Sequence, residues 1–359
     1  MLYYFLLVFL FLVSGIHSQI VVTDINNNPI PHVEVLSNNK YFYTQTNIKG
    51  EVNSKEFEKL NPSDTLFFQM ITFERMSILK SDLKSIDTIR LNDRVQELQE
   101  FIVLSKDKKD KYQIIDGCYR SYQINDDSVA YYMDGKARWS SKINKGRFDV
   151  LLKENRFFAN LVLEEKDQNP DRNINFTFAP GVSRPPFYYL PFQYDKDLTY
   201  KMKDSSTIEM FIKDSVYVGH IETYSKYVIY NMADYDFVGT NTLLKNEINR
   251  LYNNITLVFR NYEGFDVTLI KNYDDLLYFK SHREYSVKHE KDKEYKRTVQ
   301  VNELFFEQVS YERSINKKEF RSSSGAQKQS NYTFEFWNSC KCEVYEKPIR
   351  QLLSNLHER

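Results

Sequence analysis

Three cysteines, six histidines and a few adjacent carboxylates are the groups in this 359-residue chain best suited to catalysis or metal binding. The cysteines are Cys118, Cys340 and Cys342. Cys340 and Cys342 are one residue apart, so in an extended segment both side chains leave the same face. An odd count leaves at least one thiol unpaired, or paired with another molecule. A bridge from Cys118 to either of the others would close a long loop and stabilise the chain by roughly 3–5 kcal/mol. A thiol-exchange centre is the alternative reading, although the usual Cys-x-x-Cys at a helix start does not occur.

The histidines are His17, His32, His220, His282, His289 and His357. None falls in His-Glu-x-x-His, or in His-x-x-Glu with a distant third ligand, the spacings that preset a peptidase zinc. The nearest approach is His220-Ile221-Glu222, which places two ligand types on one strand face; polar residues beside a strand are the better account of it. Gly181-Val182-Ser183-Arg184-Pro185 lacks the last glycine of a serine-hydrolase elbow, and Pro180, Pro185 and Pro186 mark an irregular loop. No glycine-rich phosphate loop is present. Asp274-Asp275 and Asp126-Asp127 are carboxylate pairs of the type glycosidases use, and such pairs are more often solvated turns. The sequence therefore predicts no catalytic residue, no metal and no cofactor. Phe187, Tyr188, Tyr189 and Phe192 form an aromatic stretch suited to stacking on a sugar or anchoring a protein partner. The competing reading is that these rings fill a core beneath a proline-rich crossing.

The elements that must carry these residues are mostly strands. Apolar residues make up 42% and aromatics 15%, with 27 Tyr and 26 Phe, residue types that favour sheets. Lys plus Arg equals Asp plus Glu, 49 each, which argues against a nucleic-acid partner, because such binders carry a basic excess. Residues 2–13 form an apolar run too short to cross a bilayer as a helix. With Ser18 following, they read as a signal peptide, residues 1–18, removed on export. No cysteine follows the run to carry a lipid anchor. No later stretch reaches 18 apolar residues, so no membrane-spanning segment is expected after signal removal.

Residues 19–105 alternate short apolar runs with turn signals at Asn26-Asn27-Asn28-Pro29 and at Asn47-Ile48-Lys49-Gly50, where Gly50 is free to take positive φ. This predicts a small antiparallel sandwich. The order Val22-x-Asp24, Asn28-Pro29-Ile30-Pro31-x-Val33-x-Val35, Thr44-x-Thr46-Asn47-x-x-Gly50 and Asp64-Thr65-Leu66 resembles the carboxypeptidase regulatory-like domain. Ile89-x-Leu91 and Leu98-x-Glu100-x-Ile102-Val103 would close the unit. The resemblance implies a transthyretin-like β-sandwich of the kind found at the start of exported and outer-membrane proteins of Gram-negative bacteria. It implies no hydrolysis. Where the family usually has glycine in the first turn, this chain has Asn27 or Asn28, which also tolerate the left-handed conformation.

Lys106 to Lys111 is a charged run without apolar periodicity, and residues 106–114 read as a linker. Residues 115–359 then form a larger β-rich α+β domain. Asp134-Gly135 signals a hairpin. The runs Ile208–Ile212, Val216–Ile221, Tyr227–Tyr230, Ile255–Phe259, Val267–Ile270, Leu276–Phe279 and Leu304–Val309 suggest a meander. Leu244, Ile248, Leu251 and Tyr252 fall on one face of a helix, and Pro348 opens a second with Ile349, Leu352, Leu353 and Leu356. Tyr119-Arg120-Ser121-Tyr122-Gln123, Tyr131-Tyr132-Met133-Asp134-Gly135, Glu303-Leu304-Phe305-Phe306 and Phe336-Trp337 resemble the uncharacterised C-terminal region that follows regulatory-like domains in exported proteins. Two helices against a meander also match the open, curved sheet of periplasmic lipoprotein carriers. Charges on both faces of Glu284–Glu290 argue against a membrane barrel. The expectation is a mainly β, non-catalytic protein of the periplasm or outer membrane that binds or scaffolds a protein or glycan partner. The alternative is a periplasmic carrier of an apolar ligand.

Overall fold

The computed structural model describes residues 19–37, 43–47, 49–92, 102–103, 107, 109–126, 128–143, 148–167, 181–182, 198–233, 248–268, 273–287, 294, 296–322, 328–333, 335–336, 340, 353 and 356–359. These divide into two compact units, one up to Asn92 and one from Ile102 onward.

The first unit is two small sheets. In one, β1 (Gln19–Thr23) lies between β4 (Glu51–Asn53), antiparallel, and β7 (Thr88–Arg90), parallel. The other has the order β3 (Tyr43–Gln45), β2 (Glu34–Ser37), β5 (Thr65–Gln69), β6 (Met76–Leu79), all antiparallel. Val22, Val33, Val35, Leu66 and Phe68 are wholly buried, as the period-2 alternation requires. The turns follow from their residues. Asp24 accepts the backbone N–H groups of Asn26 and Asn28, each at 2.8 Å. Asn27 takes φ 65° and Gly50 takes φ 71°. A Cβ on Gly50 would sit 2.6 Å from the Val22 carbonyl oxygen, so that position excludes a side chain twice over.

The second unit is one large sheet. Along the chain run β8 (Ile102–Val103), β9 (Tyr112–Asn125), β10 (Ser128–Lys142), β11 (Phe148–Ala159), the short helix α1 (Leu161–Asp167), β12 (Leu198–Met202), β13 (Thr207–Ile212), β14 (Val216–Thr223), β15 (Tyr227–Ala233), β16 (Ile248–Arg260), β17 (Leu276–Val287), β18 (Lys296–Glu312), the short helix α2 (Lys317–Ser322) and β19 (His357–Glu358). The order across the sheet is β12-β13-β14-β15-β16-β17-β18-β9-β10-β11-β19. Two antiparallel meanders, β12 to β18 and β9 to β11, thus join where β18 pairs with β9. Their shared apolar face carries Tyr119, Tyr131, Met133, Trp139, Phe157, Tyr230, Leu257, Phe259, Leu304 and Phe306, all buried. Among the described residues no helix is long and apolar enough to cross a membrane.

The mainly β class is as expected from the sequence, and several details differ. Ile102 and Val103 do not close the first unit: they pair in parallel with Gln308 and Val309 of β18. The expected linker is shorter than residues 106–114, since β9 already begins at Tyr112 and Lys111 donates its N–H to the Glu312 carbonyl. Ile248, Leu251 and Tyr252 lie in β16, not in a helix. An extra residue between Ile248 and Arg250 shifts the register against β17, and this bulge breaks the period of 2 that would have marked a strand. Asp134-Gly135 is mid-strand, and the reversal falls between β9 and β10 instead. Glycine is needed there because a Cβ on Gly135 would run into the Glu154 carbonyl oxygen and the Tyr119 hydroxyl. Val267 and Thr268 form a turn; Ile270 lies outside the described residues. Of the expected last helix, Leu353 is helical, Leu356 is buried and leads into β19, and residues 348–352 lie outside the described residues.

Candidate functional site

The face of the large sheet opposite that apolar core carries a single file of polar residues. In cross-strand register they run Glu209, His220, Asn231, Thr256, Lys280, Glu303, Arg120, Asp134, Arg156, one from each of nine adjacent strands. Directly paired residues share a face. From Lys280 to Arg156 the charges alternate in sign. Arg120 is 1% exposed and Glu303 0%. They form a buried ion pair, and Glu303 also accepts from the Tyr278 hydroxyl at 2.5 Å. Asp134 accepts from Arg156 through both oxygens, at 2.9 and 2.6 Å, and from the Tyr132 hydroxyl at 2.8 Å. Partial burial works against the Arg156 charge, yet the Asp134 carboxylate holds the guanidinium above its ordinary value. The rings of Phe158 and Phe336 lie 5.6 and 5.9 Å from that guanidinium.

At the other end of the file the groups are neutral or singly charged. His220 meets the Tyr217 hydroxyl at 3.0 Å through Nδ1 and Glu222 at 2.8 Å through Nε2. Glu222 accepts in turn from the Tyr224 hydroxyl at 2.9 Å. Thr256 donates to Asn231 at 3.2 Å. The sequence-predicted pair of His220 and Glu222 is therefore brought together, as members of a hydrogen-bonded chain.

Two residues along β9 from Arg120, Cys118 forms a disulfide with Cys340, the Cα atoms 5.9 Å apart. The Cys118 sulfur lies 3.3 Å from Oε1 of Glu307. Cys342 lies outside the described residues. Lys136 pairs directly with Cys118 across the strands, so a cation, a carboxylate and two sulfurs share this node.

A third cluster sits at an end of the sheet. The turn after β14 stacks Tyr224 and Tyr227 with centroids 4.7 Å apart. Asn261 joins this turn to the β16–β17 connection, donating its backbone N–H to the Lys226 carbonyl at 2.9 Å and its side-chain amide to the Tyr224 carbonyl at 2.5 Å. Next in chain, Tyr262 is 50% exposed, packs edge-on against Phe265 at 5.4 Å and donates to Asp275 at 3.2 Å. Burial pushes the Asp275 carboxyl above its ordinary value, and the neighbouring Asp274 charge adds to the effect. Asp274 accepts from Gln113 at 2.6 Å and Tyr311 at 2.5 Å. The two carboxylates thus face different partners, and each is tied to tyrosine.

The remaining sequence candidates are placed as follows. Asp126 sits in the β9–β10 turn at φ 48° and accepts the Arg297 N–H at 2.9 Å; Asp127 lies outside the described residues. So do Phe187, Tyr188, Tyr189 and Phe192, and Ser183 of the hydrolase-like stretch. Sequence reasoning missed the polar file and the Tyr262 cluster. The strands themselves carried no signal that singled out the file, since β9, β10, β17 and β18 each hold further charges such as Asp116, Lys136, Arg283 and Glu307.

No family model matches the chain, and no curated protein matches it. Among solved structures it is similar to one described as lipid-protein interactions in lipovitellin, with 6% identity, a TM-score of 0.27 and 57% of this chain covered. The chain spans 26% of the length of that lipovitellin chain.

Proposed function

We propose that this is a non-catalytic, exported protein of a bacterial envelope that binds a glycan or protein partner through the aromatic end of its large sheet. The observation that carries the reading is the cluster of Tyr262, Phe265, Tyr224 and Tyr227 beside Asp274 and Asp275. Half-exposed Tyr262 offers a ring face for stacking, and carboxylates beside it accept hydroxyl donors. The charged file supports the same reading from the other side, since Arg120, Glu303, Asp134 and Arg156 are engaged with one another and form a rigid frame. The regulatory-like resemblance of residues 19–105 and the signal-like residues 1–18 support placement in the periplasm or at the outer membrane.

The test is capture from solubilised envelopes and from a polysaccharide panel, using the mature chain and Tyr262→Ala. Because Tyr262 is exposed, its loss should leave the unfolding midpoint unchanged while capture falls. Equal capture by the variant would move the partner surface elsewhere. N-terminal sequencing of envelope material that finds Met1 intact would refute export with cleavage.

A second reading, a carrier of an apolar ligand, is favoured by the continuous apolar face running from Leu198 and Ile208 through Tyr230 and Leu304 to Phe157. Organic extraction of the natively purified chain, followed by mass spectrometry, should then release a stoichiometric lipid.

A further inference from the structure

We propose that Cys118, Cys340 and Glu307 form a redox-gated zinc site, closed while the disulfide is intact and open once it is reduced. The inference goes beyond the binding reading above and does not rest on it. Among the described residues these three offer one ligand atom each, and those atoms all lie within 4.8 Å of one another. Both cysteines are buried, at 0% and 2% exposure, so a bound ion would be shielded from bulk solvent, with room for one water ligand. Tetrahedral zinc with Zn–S distances of about 2.3 Å needs sulfurs roughly 3.8 Å apart. Cysteines with Cα atoms 5.9 Å apart reach that separation by side-chain rotation, without moving the sheet. Two thiolates and a borderline-hard carboxylate match the preferences of zinc over magnesium or calcium. Charge also closes: two thiolates and Glu307 carry −3, the ion +2, and Lys136, in register with Cys118 on the same face, supplies the last positive charge.

The chemistry balances with a dithiol as reductant. It gives two electrons and two protons to the Cys118–Cys340 bond and becomes a disulfide itself. The sulfur–sulfur bond breaks, two thiols form, and zinc then displaces both protons to solution as two Zn–S bonds are made. Glu307 supplies a third ligand and water completes the tetrahedron. In the oxidised chain neither sulfur can act as a thiolate, so the carboxylate alone faces the ion and holds none.

The experiment uses the full mature chain carrying Cys342→Ser, which removes the one other thiol. It is reduced with excess dithiothreitol, desalted under nitrogen and titrated with Zn²⁺ against a chromophoric chelator. The expected result is one zinc per reduced chain and none per oxidised chain. Glu307→Gln should weaken binding by at least the roughly 10–100-fold that loss of even an outer partner costs. Zinc-edge X-ray absorption on the chain with Glu307 intact should read two sulfur neighbours with the rest oxygen, which keeps the test valid if the Gln variant does not fold. The proposal is overturned if the folded reduced chain takes up no zinc, or if oxidised and reduced chains bind alike. Loss of the β-sheet circular dichroism on reduction overturns it as well, because the ligand set would then not exist.

Discussion

Replacing Arg120 with Met should destabilise the second unit by about 3–5 kcal/mol, the cost of stranding one member of a buried ion pair. Neighbouring side chains along a cross-strand row are about 5 Å apart. At an effective dielectric of about 20, each adjacent pair of opposite charges then attracts by about 3 kcal/mol before desolvation is counted. Arg120 has two such neighbours, Glu303 and Asp134. Its removal takes the paired guanidinium from Glu303, which is 0% exposed and keeps Lys280 alongside and the Tyr278 hydroxyl. Glu303→Leu should cost a similar amount. The double variant should cost less than the sum by about 2 kcal/mol or more, because the second change removes the charge stranded by the first. Urea unfolding followed by the fluorescence of buried Trp139 reads this directly. With a slope of about 3 kcal/mol/M, each single change lowers the midpoint by about 1–1.7 M. The shift should persist in high salt, since buried pairs are poorly screened. Single changes costing under about 1 kcal/mol, or strict additivity in the double, would refute the buried-pair reasoning.

Three further outcomes are expected. Peptide mapping without reductant should recover Cys118 joined to Cys340, and Cys118→Ser should destabilise the chain by roughly 5 kcal/mol in the loop-entropy model, given a sequence separation of 222; recovery of Cys118 joined to Cys342 would contradict this. Gly135→Ala should cost at least the roughly 1–3 kcal/mol of an overpacked core site, read as a lower thermal midpoint, because its Cβ meets the Glu154 backbone of the neighbouring strand, which cannot rotate away, as well as the Tyr119 hydroxyl. Burial of Asp116 works against its charge, yet hydrogen bonds from Arg138 and Lys153 hold its carboxyl below the ordinary value. A depressed carboxylate contributes stability above its unfolded pKa and loses it as pH falls through the folded one. Asp116→Asn should therefore be less stable than the parent at neutral pH, with the difference shrinking in acid; a gap that widens in acid would have the wrong sign.

What the sequence made legible follows its local physics. Turn chemistry placed the turn at Asn26–Pro29 and Gly50, because each acts within a few residues of itself. Strand alternation placed most of the meander for the same reason. The misreadings all involve partners distant in sequence. Gly135 reads as a turn residue until Glu154 and Tyr119 are seen to crowd its strand. Ile102 and Val103 read as the end of the first unit until β18 is there to pair with them. The spacing of Ile248, Leu251 and Tyr252 mimics a helix because of one bulge against β17. The polar file was invisible because its order, β17 to β18 to β9 to β10, is not chain order. A charge within a strand does not name the neighbours it meets across the sheet. Tyr262 offered no local signal, since one tyrosine among 27 is distinguished only by its exposure.

The junction of β18 with β9 also sets the order in which the sheet can assemble. Each meander is made of strands that neighbour one another in sequence. Arg120 and Glu303, by contrast, lie 183 residues apart, and such non-local pairing is slow. Until it forms, β9 and β18 are long unpaired edges, and each carries a charge with its partner missing. Half-assembled chains are thus exposed to edge-to-edge association, while the same two charges oppose pairing with a like strand: β9 presents Arg120 to Arg120, and β18 presents Glu303 to Glu303. The buried pair that frames the finished sheet therefore acts earlier as a filter on which edge each meander accepts.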